Sequence, residues 1–255
     1  MEGPSLFLAQ EQLIIFKGKK IKIVNGNTKV GKERFVNKNI LDIFSWGKHL
    51  VFQFDEFALR IHFLLYGTFE ADMNGISITG DYKKSQTPRL QFIFDNGDIT
   101  MFNCSVKIHE TNNLKSEYDY SINIMSKDFD REKAFNSIKD NLESEIADIL
   151  LTQTIFAGVG NIIKNEVLFL ARTNPKEKVI NISDAKIKEI INLAVPFSEQ
   201  FYEWRKKFIL KKHYKIYRKS VCTNCGGKVT WQTTGKFKRR SFYCPICQPL
   251  FSPNP

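Results

Sequence analysis

No apolar run in the chain reaches the roughly 18 residues that a membrane-spanning helix needs, and none of its segments is therefore expected to cross a bilayer. The opening residues, MEGPSLFLAQEQLIIF, carry acids and lack the basic leader of a secretory signal. These absences predict a soluble, intracellular protein with no segment in a membrane. Cysteine is scarce, five in 255 residues, and outside a secreted setting that few argue for thiols or metal ligands over a disulfide scaffold. Internal repeats and low-complexity tracts are also missing, which leaves ordinary packed domains. The most informative scarcity is of acid at the C-terminal end. Residues 201 to 255 hold Glu203 alone against thirteen Lys and Arg, a local charge of +12 in a chain whose total is +11. The whole positive excess sits there, and the remainder is close to neutral. A localised field of that sign, interleaved with Tyr202, Trp204, Tyr214, Tyr217, Trp231 and Phe237, suits a nucleic acid. A solubilising surface or an acidic membrane partner are the alternatives on charge alone.

With 42% apolar residues the chain can bury a large core, and its length fits two modest domains. Residues 5 to 16 carry apolar side chains on a helical period with Ser5 as a cap. From about 20 to 104 the pattern changes to short runs rich in Ile, Val and Phe, with Asn-Gly pairs at 25-26, 74-75 and 96-97, which predicts a sandwich or barrel. Residues 111 to 130 are polar and weakly patterned, and read as a hinge. Beyond it the period is helical: one or two helices over 131 to 153, another over 161 to 171, and a segment starting at Ser183 with Ile187, Ile190, Ile191 and Ala194 on one stripe, followed by a helix through Phe201 and Trp204.

Cys222-x2-Cys225, eighteen residues, then Cys244-x2-Cys247 is the spacing of a four-thiolate structural zinc site with a β-hairpin between its knuckles. Such a hairpin has too little core to fold alone, so one bound Zn2+ would supply its folding energy. Two disulfides are the competing reading. Cys104 lies in an apolar, strand-like run and reads as core. The basic turn between the knuckles is expected to project, as a finger entering a DNA groove should, or else to be a solvated charged turn.

The finger sequence Arg239-Arg240-Ser241-Phe242-Tyr243-Cys244-Pro245-Ile246-Cys247-Gln248, and the segment Leu151-Thr152-Gln153 through Gly158-Val159-Gly160-Asn161 to Glu166, resemble the Fpg/Nei DNA glycosylases, in the Nei-like (endonuclease VIII-like) branch. The resemblance implies that Arg239, with Arg240 as its competitor, holds the phosphate beside a lesion, and that the second segment is a helix-two-turn-helix motif. Asn161 would stand at a helix start, where free N–H groups favour a phosphate. Gly47-Lys48 resembles the hairpin that supplies a phosphate-binding lysine, Lys48. His62-Phe63-Leu64-Leu65-Tyr66-Gly67 resembles the loop that fills the gap left by an extruded nucleotide, with Leu64, Leu65 and Tyr66 as the wedge. Read singly, Leu64 and Leu65 are as readily strand core.

In this family the chain starts Pro-Glu, with the proline amine as nucleophile and the glutamate as acid/base. Here Met1 takes the proline's place and Glu2 follows, while Ser5 departs from the usual glutamate. An α-amino group titrates near about 8, so a usable fraction is neutral at pH 7. Without the other motifs these residues would read as a frayed end. The resemblance implies an α+β multidomain enzyme: a catalytic N-terminal helix and β-sandwich (1–112), a hinge (113–130), a helix-two-turn-helix domain (131–219) and a zinc-ribbon finger (220–255). Damaged DNA would lie between the lobes, and the enzyme would act as a monomer in base excision repair, in a bacterial cytoplasm or nucleoid. The competing readings are a non-catalytic zinc-finger protein that binds damaged or structured DNA, and a ribosomal or transcriptional zinc ribbon.

Overall fold

The Ile-, Val- and Phe-rich runs of the first half form strands because β-branched and aromatic side chains suit a pleated, half-buried surface. They are β1 (Ile23–Asn25), β2 (Asp42–Trp46), β3 (His49–Gln53), β4 (Ala58–Met73), β5 (Ile76–Thr79), β6 (Leu90–Phe94) and β7 (Gly97–His109), preceded by helix α1 (Gly3–Leu13). The computed structural model describes residues 1–79 and 87–251, so the last four residues assigned to the finger lie outside the described residues. The chain divides into two compact units, one of Met1 and Ser5–Asp119, the other of Glu2–Pro4 and the chain from Tyr120 onward.

In the first unit all seven strands belong to one sheet of order β1-β6-β7-β4-β3-β2, with β5 on β4. The sandwich expected from sequence arises because β4 and β7 are long enough to serve both layers. The first half of β4 pairs with β3 and with the end of β7; after a break in register between Phe63 and Thr68 its second half pairs with β5 and with the start of β7. The neighbouring runs FALRIHFLL (57–65) and TFEA (68–71) thus belong to one bent strand, as a bulge allows. Phe52 of β3 meets Phe92 of β6 across the core, ring centroids 5.9 Å apart, and Leu6, Ala9 and Leu13 of α1 join the same buried cluster. Asn74 and Gly75 close the β4–β5 hairpin with φ of 55° and 80°, the left-handed pair that Asn-Gly provides.

The second unit contains α2 (Arg131–Lys139), α3 (Ile146–Leu151), α4 (Asn161–Leu170), α5 (Asp184–Lys206) and a hairpin of β8 (Thr230–Thr234) with β9 (Arg239–Tyr243). Ser183 caps α5 by accepting from the Lys186 amide. The stripe and the later helix foreseen beyond it form one helix of 23 residues that runs through Pro196. Its buried face, Ile187, Ile190, Ile191, Ala194 and Phe201, packs on α2, α3 and α4 in a single core, and that packing outweighs the proline's lost hydrogen bond.

Candidate catalytic terminus and nucleic-acid interface

Between α3 and α4 the chain makes two tight turns stitched by Gln153. Its Nε2 donates to the carbonyls of Leu151 (2.8 Å) and Val159 (3.1 Å), and its Oε1 accepts from the Gly158 amide at 3.1 Å. Gly158 has a φ of 102°, which favours glycine. Gly160 is extended and is required for space: a Cβ there would strike the Glu2 carboxyl. That carboxyl group is the anion at the start of α4. Glu2 Oε1 accepts from the Ile162 amide at 2.7 Å and Oε2 from Ile163 at 3.2 Å, while the Gly3 amide donates to Gly158 O at 2.8 Å. The N-cap position, Gly160, has no side chain, so a residue from the far end of the sequence does the capping. Residues 2 and 3 are therefore fixed, not frayed. The free amides foreseen as a phosphate site are occupied by Glu2, and the Asn161 side chain instead donates to Arg240 O at 3.0 Å.

In the sheet unit, Met1 packs against the core cluster. Its α-amine lies near enough to His62 to help, after burial and together with Lys48 and Arg60, to hold that imidazole's pKa below its usual range. His62 was read only as the flank of the wedge loop; its place beside the terminal amine depends on β4 pairing and has no local signature. His49 is held down to about 3, by burial first and then by Arg60, His62, His109 and Lys48. Lys48 stands in the two-residue turn between β2 and β3, where Trp46 pairs with His49 and Gly47 takes a φ of 54°. Leu64, Leu65 and Tyr66 bulge from β4 at the register break and are 45%, 66% and 46% exposed, so they are not strand core. Asn103 Nδ2 donates to Leu65 O at 2.6 Å and steadies the loop. Cys104 is buried in the core, and burial pushes its thiol up to about 12.

The four finger cysteines bring their sulfurs within 4.8 Å of one another. Cys222 and Cys247 are 3.8 Å apart, Cys225 and Cys244 3.5 Å, and all are free thiols. Tetrahedral thiolates about 2.3 Å from a metal would stand roughly 3.8 Å apart, so the set fits one ion. The hairpin does not project freely. Buried Asp148 on α3 accepts from the amides of Lys236 (2.7 Å) and Phe237 (3.3 Å) in its turn. The open edge of β9 is bound by α4: Arg240 O accepts from Asn161 and Lys164, and the Phe242 amide donates to Asn165 Oδ1 at 2.6 Å. Glu166 accepts from three successive amides, Lys215, Ile216 and Tyr217, at 2.8, 3.1 and 2.8 Å. Asp148, Lys164 and Asn165 carry no signal in the sequence, since a buried polar anchor has no motif of its own, whereas Glu166 closes the helix-two-turn-helix motif without its spacing saying which amides it binds.

Strand alternation separates the two arginines. Arg239 shares a face with buried Ser241, toward Lys164, whose pKa its charge helps to lower. Arg240 lies on the other face, its guanidinium 4.5 Å from the Trp231 ring centroid.

Residues 121–199 match the family described as Formamidopyrimidine-DNA glycosylase H2TH domain. The chain is 30% identical over 226 residues to Endonuclease 8-like 3 of Homo sapiens, covering 83% of itself and 36% of that protein. To Endonuclease 8-like 2 of Mus musculus it is 32% identical over 178 residues, 68% of itself and 51% of the relative. It thus spans about a third to about a half of these relatives. The fold matches a structure described as a complex between the Lactococcus lactis Fpg and an abasic site containing DNA, with a TM-score of 0.83 at 20% identity, over 98% of this chain and 100% of that one. A likeness at that identity fixes the fold alone. The Endonuclease 8-like relatives are vertebrate, so the expectation of a bacterial host has no support from them. Among the described residues no helix is long and apolar enough to cross a membrane.

Proposed function

The chain belongs to the Fpg/Nei family, in its Nei-like branch, and from that premise we propose that it excises oxidised bases from DNA and then cleaves the strand, as a glycosylase with AP lyase activity. The observation that carries this reading is the Glu2 carboxylate held by the amides of Ile162 and Ile163, which orders the start of the chain on the helix-two-turn-helix motif. The Met1 α-amine attacks C1′ of the extruded nucleotide, and the C1′–N bond breaks with its electrons leaving on the base, which is protonated as it departs. The Glu2 carboxylate takes the proton that the attacking amine sheds and passes it to the sugar ring oxygen; the C1′–O4′ bond then breaks and ring opening yields an imine between Met1 and C1′. Loss of a C2′ proton then expels the 3′ phosphate and breaks the strand. A primary amine gives an imine that can become neutral, so this elimination is slower than with proline.

Lys48 and Arg239 grip the DNA backbone, with Arg240 in a lesser part, and Asn161 holds β9 in place. Leu64, Leu65 and Tyr66 fill the vacated stack. Gly3 and the sequence Leu65-Tyr66-Gly67 favour oxidised pyrimidines and formamidopyrimidines as substrates. Cys222, Cys225, Cys244 and Cys247 hold one Zn2+, whose contribution is the folding energy of the hairpin. Damaged DNA is the partner, and the protein acts as a monomer.

Borohydride trapping on an oligonucleotide with an abasic site tests the reading. A covalent adduct is expected, with peptide mapping placing it on Met1. Tight binding without an adduct would remove the lyase chemistry and leave a DNA-binding module.

A further inference from the structure

Lys164 takes part in none of the steps above, yet it lies in α4 two residues beyond Ile162, whose amide binds Glu2, and its side chain is wholly buried. Its Nζ donates to Ser241 Oγ at 2.7 Å and to Arg240 O at 3.3 Å. Both acceptors are neutral. Ser241 Oγ is itself 2.6 Å from Thr234 Oγ1, so the buried chain ends in hydroxyls and offers the ammonium no carboxylate at contact. The charges that face Lys164 come from three elements: Arg239 on β9, Glu2 at the chain start, and Asp148 on α3 with Glu145 at its cap. Glu2 and Asp148 are each already bound by two backbone amides, which weakens their pull. A buried ammonium with neutral partners and an arginine beside it is costly to charge. Burial first, and then Arg239, bring its pKa down to about 7.

We propose that Lys164 takes up a proton as a DNA phosphodiester settles on Arg239, which makes it a positioning residue whose charge couples substrate binding to pH. The inference rests on the reading of Arg239 as the phosphate grip. A phosphate there cancels the field of the guanidinium at Lys164 and adds a negative charge of its own, so the ammonium becomes the favoured form. The charged Lys164 in turn strengthens the hold on the phosphate and on the β9 edge through Arg240 O and Ser241. The sign follows from linkage: below pH 7 Lys164 is protonated both free and bound, whereas above it binding must first take up a proton, so affinity falls as pH rises.

The test uses the full chain and a duplex with a non-cleavable abasic-site analogue, with Kd measured by anisotropy from pH 6 to 9 at constant ionic strength. For the wild type, Kd is expected to be flat below about pH 7 and to weaken by up to about tenfold per unit above it, with proton uptake approaching one per complex in paired-buffer calorimetry. Lys164→Met is expected to flatten the profile, and Ser241→Ala to move its midpoint while keeping the slope. A merely structural role would lower affinity equally at every pH. A wild-type profile that is flat, or a Lys164→Met profile that keeps its slope, overturns the coupling while leaving the glycosylase reading intact; absence of binding at any pH overturns both. Should Lys164→Met fold poorly, Ser241→Ala and the wild-type calorimetry carry the decision: no uptake and an unmoved midpoint reject the proposal.

Discussion

In the sheet unit the loop at Leu64–Tyr66 leaves three large apolar side chains 45–66% exposed; in the helical unit the turn at Gly235–Lys238 presents its charges while a buried carboxylate binds its backbone through two amides. The loop is shaped by a break in register between β4 and β7 and is held to β7 through Asn103 and Leu65 O, and its exposed apolar area is what a gap in a base stack would cover. The hairpin depends on others. Asp148 holds its turn, α4 holds the edge of β9, and the chain leading into it, from Lys215 to Tyr217, is held by Glu166. One protrusion leaves its apolar tip exposed; the other is kept in register with α4, the helix whose first amides bind Glu2.

That contrast breaks most completely on metal removal. A chelator is expected to release one zinc per chain, abolish strand cleavage and melt the hairpin, since structural zinc is worth about 10 kcal/mol or more to such a module. The helical signal in far-ultraviolet circular dichroism should persist, because α2 to α5 share a core without the cysteines. Elemental analysis finding less than about half an equivalent of zinc would count against the site. Asp148→Ala comes next. Two amide bonds to a charged, buried acceptor are lost, and a destabilisation of about 3 kcal/mol is expected in urea unfolding, with Asp148→Asn costing less than half of that. A loss under about 0.5 kcal/mol would show that the turn is not held there.

The parts of this design that were legible in the sequence are those whose chemistry is local. Cysteine spacing, the Gln153 and Gly158 turns and the Ser183 cap each need only a few neighbouring residues, and the structure places them accordingly. Glu2 drew notice only through resemblance and for another role; its capping of α4 was not legible, because its partner amides lie about 160 residues away. Asp148 and Lys164 read as ordinary helix residues, since nothing in an i,i+4 pattern says that a charged side chain will be buried against a hairpin. The two-layer sheet was legible as strand content, but the continuity of β4 was not, because a bulge looks like a strand end.

The two arginines sharpen the comparison further. Arg239→Ala is expected to weaken binding to abasic DNA about thirtyfold, about 2 kcal/mol for a charge-assisted phosphate contact. Arg240→Ala should lose less than about fivefold, the scale of an exposed cation–π contact with Trp231. Equal, small and salt-dependent losses would mean that alternation along β9 does not decide the role.

The smallest shift in stability belongs to the wedge loop. Replacing Leu64, Leu65 and Tyr66 together with alanine removes side chains that are already about half exposed, so the unfolding midpoint should move by no more than about 0.5 kcal/mol. Excision from a duplex nevertheless should fall about tenfold, because the vacated stack then goes unfilled. Excision from single-stranded DNA should change little, as no neighbouring stack is there to repair. Equal losses on both substrates would assign the loop to general DNA contact. A large loss of stability would instead return these residues to the core, and would make the two protrusions alike in what holds them.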